Sequence, residues 1–312
     1  MMTQMSATTG DQADSLRQLA NTNRKKRVQA GPTGVVAGQA GIRVISVTSG
    51  KGGVGKSNVV VNLSIALAKR GKKVLVIDAD LGLGNIDVLI GLSPGYNLND
   101  VFTGNKSLKD IIIEGPEGIK IVPAGSGLQE VTSLNVDQRL KILDELDELE
   151  EEFDILIIDT EAGISENVTY FNTAAQEIVV VVSPEPTSLT DVYALIKLLA
   201  TRHNERHFKV LVNMAKDMDD ALQVFAKLCN VTSRFLDISL DYLGCVLHDG
   251  QLVDAVKSQK PVIELYPKAT ASACFTTLAR RILENTGERR LKGNIQFFFR
   301  RFLAPQAGLE NI

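Results

Sequence analysis

Glycine, lysine and serine at fixed offsets can hold a polyphosphate, and residues 50–58 carry that set: Gly50-Lys51-Gly52-Gly53-Val54-Gly55-Lys56-Ser57-Asn58. The stretch fits G-x-x-x-x-G-K-[ST] without a gap. In such a loop successive backbone N–H groups curl around phosphate oxygens, and the helix that follows adds its own donors and dipole. Lys56 is spaced to reach β- and γ-phosphates, and the Ser57 hydroxyl to ligate Mg²⁺. The plain alternative is a tight glycine-rich turn with no ligand. Against it stand the flanks, the apolar run Ile42-Arg43-Val44-Ile45-Ser46-Val47-Thr48 before the loop and the helical pattern Val59, Val60, Leu63, Ile65-Ala66-Leu67 after it.

Three further groups have chemistry to offer. Lys73-Val74-Leu75-Val76-Ile77-Asp78 is a buried-strand pattern that runs into Asp78-Ala79-Asp80-Leu81-Gly82-Leu83-Gly84-Asn85. Carboxylates at the carboxyl end of a strand in an open parallel sheet face the ligand crevice. Asp80 is one such group, with capping of the next turn as its simpler role. Phe153-Asp154-Ile155-Leu156-Ile157-Ile158-Asp159 is the strongest strand pattern in the chain. Its terminal aspartate is in the position that helps hold Mg²⁺ in phosphate-loop enzymes. Phe208–Val212 ends in Asn213, whose amide can donate and accept.

These residues need a scaffold that brings strand ends together. Strand patterns alternate with helical ones over residues 42–285, which predicts an α/β fold with a doubly wound, mostly parallel sheet and helices on both faces. Lys56, Asp80, Asp159 and Asn213 all fall at the carboxyl ends of strands in that arrangement, where ligands bind. The chain has 312 residues, 44% hydrophobic and 23% charged, an ordinary globular composition. Its formal net charge of -3 gives no electrostatic case for nucleic acid. Cys229, Cys245 and Cys274 form no C-x-x-C pair, which argues against a zinc site, an iron–sulfur carrier or a disulfide framework. No apolar run reaches 18 residues, so no span of a bilayer is predicted.

Lys51, directly after the first glycine, gives K-G-G-V-G-K-S, which resembles the deviant phosphate loop of the MinD/ParA family of dimerising ATPases. Spacing alone leaves Lys51 as one more cation near phosphate. The resemblance implies that it crosses to the nucleotide of a partner subunit in an ATP- and Mg²⁺-dependent homodimer. D-x-D-x-x-x-x-N at 78–85 resembles the family's first switch, which implies that Asp80 lies near the γ-phosphate and the metal and orients the attacking water. Asp159-Thr160-Glu161-Ala162-Gly163 resembles the second switch, D-[ST]-x-A-G, in which the Gly163 N–H senses the γ-phosphate. Glu161 departs from the small residue or proline common there, leaving solvent, a partner contact or altered dimer strength open. Asn213 corresponds to the adenine-reading position. Asp249 matches the base-side P-x-D, although Leu247 departs from its proline. By this resemblance the nucleotide is held by residues 50–58, Gly163, Asn213 and Asp249, the metal by Ser57, Asp80 and Asp159, and turnover depends on Asp80, Lys51 and Lys56.

The two ends of the chain carry different signals. Residues 1–41 are polar, with one short amphipathic island around Asp11, Gln12, Ala13, Leu16 and Arg17. Alone it reads as a fraying tail or a segment that folds on a partner. Its D-Q-A-x-x-L-R resembles the activator motif of the FlhG/FleN branch of the family, which stimulates the GTPase FlhF. Residues 286–312 place Ile295, Phe298, Phe299, Phe302 and Leu303 on one helical stripe flanked by cations. That is an interfacial membrane anchor or a helix docked on the core. The resemblance favours the anchor and implies a cytoplasmic protein reversibly bound to the inner membrane. It further implies regulation of flagellar number and placement, with flagellar C-ring components and the flagellar master transcription activator as partners. A division-site or DNA-partitioning ATPase would share the core, and an adaptor that binds ATP without turnover would share the loop.

Overall fold

A computed structural model describes residues 42–80, 84–124, 145, 149 and 152–284. Strand β1 (Arg43–Ser49) leads through the glycine loop into helix α1 (Lys56–Ala68), and β2 (Val74–Ala79) follows. Short helices α2 (Ile86–Leu89), α3 (Leu98–Phe102) and α4 (Leu108–Ile111) then lead to β3 (Ile113–Glu114) and β4 (Lys120–Val122). The remaining units are β5 (Ile155–Ala162) with α5 (Glu166–Ala174), β6 (Glu177–Val182) with α6 (Pro186–His203), and β7 (His207–Ala215) with α7 (Met218–Phe235). Strand β8 (Ser239–Leu247) precedes α8 (Gly250–Lys257), α9 (Val262–Leu265) and α10 (Thr270–Glu284).

The eight strands form one sheet in the order β3-β4-β2-β5-β1-β6-β7-β8. Every pairing is parallel except β3 with β4, a two-residue antiparallel edge that the sequence pattern did not reveal. The central strands are buried on both faces, which is why they read as unbroken apolar runs. Ile45, Val47 and Ile157 face a core built with α1 and α10, through Leu63, Leu67, Phe275 and Leu278. The other face packs Val44, Leu75, Leu156 and Ile158 against Phe171 of α5. Beyond β1 it packs Val180 and Val210 against Leu195 of α6 and Leu228 of α7.

Three details position the loop that leaves β1. The first is a buried polar network between β1 and α5. Ser46 Oγ donates to Asn172 Oδ1 at 2.9 Å, and Asn172 Nδ2 donates to Thr48 Oγ1 at 3.2 Å and to the Val168 carbonyl at 2.7 Å. The second is the packing of Gly50, where a Cβ would stand 2.2 Å from the backbone carbon of Asp191 in α6. Only glycine lets the loop approach that helix so closely. The third is strand order. The chain runs from β1 to β2 on one side and reaches β6 on the other, so the crevice at the carboxyl end of β1 is the topological switch point.

Helix limits differ from the sequence pattern where caps extend them. The segment expected at Ala221–Cys229 runs over Met218–Phe235, and it starts earlier because Asp217 caps it by accepting from the Asp220 N–H at 2.8 Å. Only positions 145, 149 and 152 of the acidic stretch near residue 150 are described. Asp11, Gln12, Ala13, Leu16 and Arg17 lie outside the described residues, as do Ile295, Phe298, Phe299, Phe302 and Leu303. No helix among the described residues is long and apolar enough to cross a membrane.

Candidate nucleotide-binding site

Helix α1 begins at Gly55, whose φ of 81° turns the chain sharply into the helix. No side chain caps this end, and its first turn has no acidic residue. A helix N-terminus without a side-chain acceptor presents its donors to an outside anion. Lys56 is buried in the first turn, and its Nζ donates to Asp159 Oδ1 at 2.5 Å. The Ser57 hydroxyl lies near enough to act on the Asp159 carboxylate. One lysine, one hydroxyl and one carboxylate thus converge from β5 and the start of α1.

The carboxylates around that lysine are crowded. Burial pushes the Asp159 carboxyl up, opposed by the Lys56 charge, by the Lys56 hydrogen bond and by the nearby Ser57 hydroxyl, while the Asp80 charge adds to the push. Asp78 is pushed up to about 7 by burial and by the Asp159 charge, although it accepts from the Ile86 and Asp80 N–H groups. Asp80 itself is partly exposed at the end of β2. Two carboxylates that feel each other's charge beside a serine hydroxyl form an oxygen donor set suited to a small hard cation such as Mg²⁺. A cavity of about 490 Å³ opens on this side, lined by Asp78, Asp80, Gly84, Asn97 and Pro123. It flanks Asp80 rather than the glycine loop.

Asn213, at the end of β7, closes the other end of the site. Its Nδ2 donates to the Val54 carbonyl of the loop at 2.8 Å, while its Oδ1 is buried with no partner. A buried acceptor without a donor is costly unless a ligand supplies one. The exocyclic amine of adenine is such a donor, whereas the guanine carbonyl at the equivalent position is not. The residues present therefore fit an adenine nucleotide with Mg²⁺. A Cβ on Gly55 would stand 2.4 Å from Asn213 Nδ2, so loop and amide are packed against each other.

Three site residues have their polar groups engaged elsewhere. The Gly163 N–H donates to the Ser49 carbonyl at 2.9 Å, so sensing a phosphate requires exchange of that bond. Asp249 accepts from the Gln251 N–H at 2.8 Å and from the Ala271 N–H at 2.9 Å, joining the starts of α8 and α10. Lys51 lies at the rim and donates to Glu185 Oε2 at 2.7 Å and to Thr187 Oγ1 at 3.1 Å. Sequence reasoning missed these partners. Glu185 is the N-cap of α6, yet its carboxylate goes to Lys51 instead of the helix. Glu161, the odd residue of the second switch, accepts from the Ser165 hydroxyl at 3.0 Å within the same chain.

Comparison with known proteins agrees with this arrangement. A family profile for the AAA domain matches residues 42–211. The antiactivator FleN of Pseudomonas aeruginosa is 44% identical over 266 residues, covering 85% of this chain and 95% of that protein. The chain is a MinD/ParA-family ATPase. The flagellum site-determining protein YlxH of Helicobacter pylori is 30% identical, covering 84% of this chain and 90% of that protein. A chain of the MinC:MinD cell division protein complex of Aquifex aeolicus aligns with a TM-score of 0.63 at 28% identity. That alignment covers 80% of this chain and all of that one. The doubly wound sheet read from the strand pattern, and MinD-like by resemblance, is thus the fold of this MinD/ParA ATPase.

Proposed function

We propose that this protein is an ATP-dependent dimerisation switch that regulates flagellar number and placement. The observation that carries the switch reading is the division of labour between two lysines of one loop. Lys56 is buried and paired with Asp159, while the side chain of Lys51 is 32% exposed at the rim, held by Glu185 and Thr187 at the start of α6. A buried lysine serves the phosphates of its own site, and a rim lysine is free to exchange its partners for those of a second subunit. The flagellar assignment is supported by the similarity to an antiactivator and to a flagellum site-determining protein.

In this reading Gly50–Asn58 and Gly163 hold the phosphates, Asn213 reads the base, and Asp249 fixes the base-side loop. Ser57, Asp80 and Asp159 hold Mg²⁺. ATP supplies the bond to be hydrolysed. Asp80 orients the attacking water, and Lys51 and Lys56 neutralise charge that develops on the transferring group. Turnover is slow and depends on the dimer, because Lys51 must first leave Glu185 and Thr187. Around the core, residues 1–41 serve as a tail whose motif engages an FlhF-type GTPase. The stripe Ile295–Leu303 serves as a reversible anchor to the cytoplasmic face of the inner membrane. C-ring components and the flagellar transcription activator are the further partners.

The test is sedimentation and liposome pelleting of the full chain with ATP and with ADP. Asp80→Ala is expected to accumulate an ATP dimer that pellets with anionic vesicles, and truncation after Lys292 is expected to abolish pelleting but not dimerisation. Lys51→Ala is expected to remain monomeric with ATP. Lys51→Ala and Asp80→Ala behaving as wild type in both dimer equilibrium and turnover would sink the switch. A dimer that never pellets would remove the membrane part alone.

A further inference from the structure

The strand β7 ends in an irregularity that the site does not yet explain. Its register with β8 runs from Asn213↔Val246 to Ala215↔Leu247, so Met214 is an extra, unpaired residue between two regular positions. A bulge of this kind re-aims one side chain and is common beside binding sites. Asn213 and Ala215 are buried, yet Met214 is 40% exposed.

The backbone at Met214 is also unusual. Its φ is 60°, the left-handed region that glycine enters freely and that long L-side chains avoid. Outliers of this kind persist where the surroundings hold them, and they concentrate at ligand sites. The methionine does not turn inward to the sheet cores. Its Cε methyl lies 3.2 Å from where a Cβ of Gly55 would stand, against the turn that starts α1. The same turn touches Asn213 Nδ2, and the partnerless Asn213 Oδ1 belongs to the preceding residue. An unbranched thioether therefore flanks a buried side-chain acceptor that has no partner among the described residues.

We propose that Met214 is a base-positioning residue, an apolar platform against the ring face of an adenine whose amino group is received by Asn213 Oδ1. This rests on the reading of the site as an adenine-nucleotide site and adds a residue to it. Thioethers pack favourably against aromatic rings, and an unbranched side chain adapts to the ring without fixed shape. The bulge supplies the direction, the left-handed backbone supplies the reach to the loop, and Asn213 supplies the hydrogen bond. A glycine in this place would leave the backbone relaxed and the ring face uncovered.

The experiment compares ATP, GTP and inorganic tripolyphosphate binding by the full chain with Mg²⁺, using wild type, Met214→Gly, Met214→Asn and Met214→Leu. Glycine and asparagine both suit the left-handed backbone, so these variants are expected to melt no lower than wild type. Both are expected to bind ATP about threefold to tenfold more weakly, with tripolyphosphate affinity unchanged. Met214→Leu is expected to keep most of the ATP affinity. Equal ATP affinity in wild type and Met214→Gly overturns the platform while leaving the nucleotide site standing. Parallel loss of ATP and tripolyphosphate assigns Met214 to loop support and overturns the proposal as well. Wild type that binds none of the three removes the nucleotide reading itself, and the platform with it.

Discussion

At the proposed phosphate end of the site Lys56 and Asp159 pair inside the protein, with Ser57 beside them. At the base end Asn213 keeps a buried acceptor without a donor, and Met214 holds a left-handed backbone beside it. The two ends are joined by a loop of nine residues but solve different problems. Phosphate and metal carry large charges, so their ligands must be countercharged to be buried at all. A base carries none, so selectivity rests on one hydrogen bond and shape. The phosphate end should therefore respond to mutation through both stability and turnover, and the base end mainly through affinity.

The most severe test is Lys56→Ala. Asp159, 1% exposed, would lose its cation, and on the proposed reading a bound polyphosphate would lose one too. Removing one partner of a buried pair costs roughly 3 kcal/mol, and removing a donor to a developing charge costs about a hundredfold or more in rate. Chemical denaturation and phosphate release check the two effects in one preparation. Turnover lost with unchanged stability would show that the pair does not hold the fold, and the contrast between the ends would narrow.

Gly55→Ala attacks the joint between them. The φ of 81° disfavours any side chain, and the new Cβ would stand 2.4 Å from Asn213 Nδ2. Overpacking of this kind costs about 1–3 kcal/mol. Because the displaced group is the amide proposed to read the base, ATP affinity should fall more than tripolyphosphate affinity, by calorimetry. Equal loss of both would mean that the loop moves as one piece and the ends are not separable.

A carboxylate at the opposite, amino-terminal end of the central strands provides the reference. Burial pushes the Glu177 carboxyl up, but Arg43 and Lys209 outweigh it and hold the group below its usual range. Lys209 Nζ bonds it at 2.7 Å, and Arg43 bridges to it while donating to the Ile282 carbonyl at 2.6 Å. A depressed folded-state value stabilises above the unfolded value of 4.5 and is lost as pH falls through the folded one. Glu177→Gln should cost about 1.5–3 kcal/mol at pH 7, the worth of hydrogen bonds to a charged group, and leave ATP affinity unchanged. The melting temperatures of variant and wild type should converge in acid. A constant gap at every pH would assign the loss to packing instead of charge.

The phosphate end was far more legible in the sequence than the base end. A glycine loop with lysine and serine is a local pattern, and Asp159 follows four apolar residues that only a buried strand explains. What was not legible depends on contacts fixed by topology. Asn172 clasps Ser46 from 126 residues away, and Lys51 meets Glu185 across 134. No spacing rule links such positions. Met214 was hidden for another reason, since neither glycine nor asparagine marks its left-handed backbone. The antiparallel β3 has two residues and is too short to show a period.

The smallest expected effect lies at the rim. Glu185→Gln would weaken the hold on Lys51 without touching Lys56, and Thr187 would remain as a partner. The pair is exposed, with side chains at 32% and 62%, so the contribution is below about 1 kcal/mol. If Lys51 must leave α6 to reach a second subunit, removing that hold favours the dimer by up to about fivefold for each of the two subunits. Sedimentation equilibrium with ATP, in the Asp80→Ala background, reads that shift, and added salt should mask it by screening the wild-type pair. A weaker dimer in Glu185→Gln would reverse the assignment. The carboxylate would then meet lysine across the interface, and the rim would resemble the phosphate end in using a fixed pair.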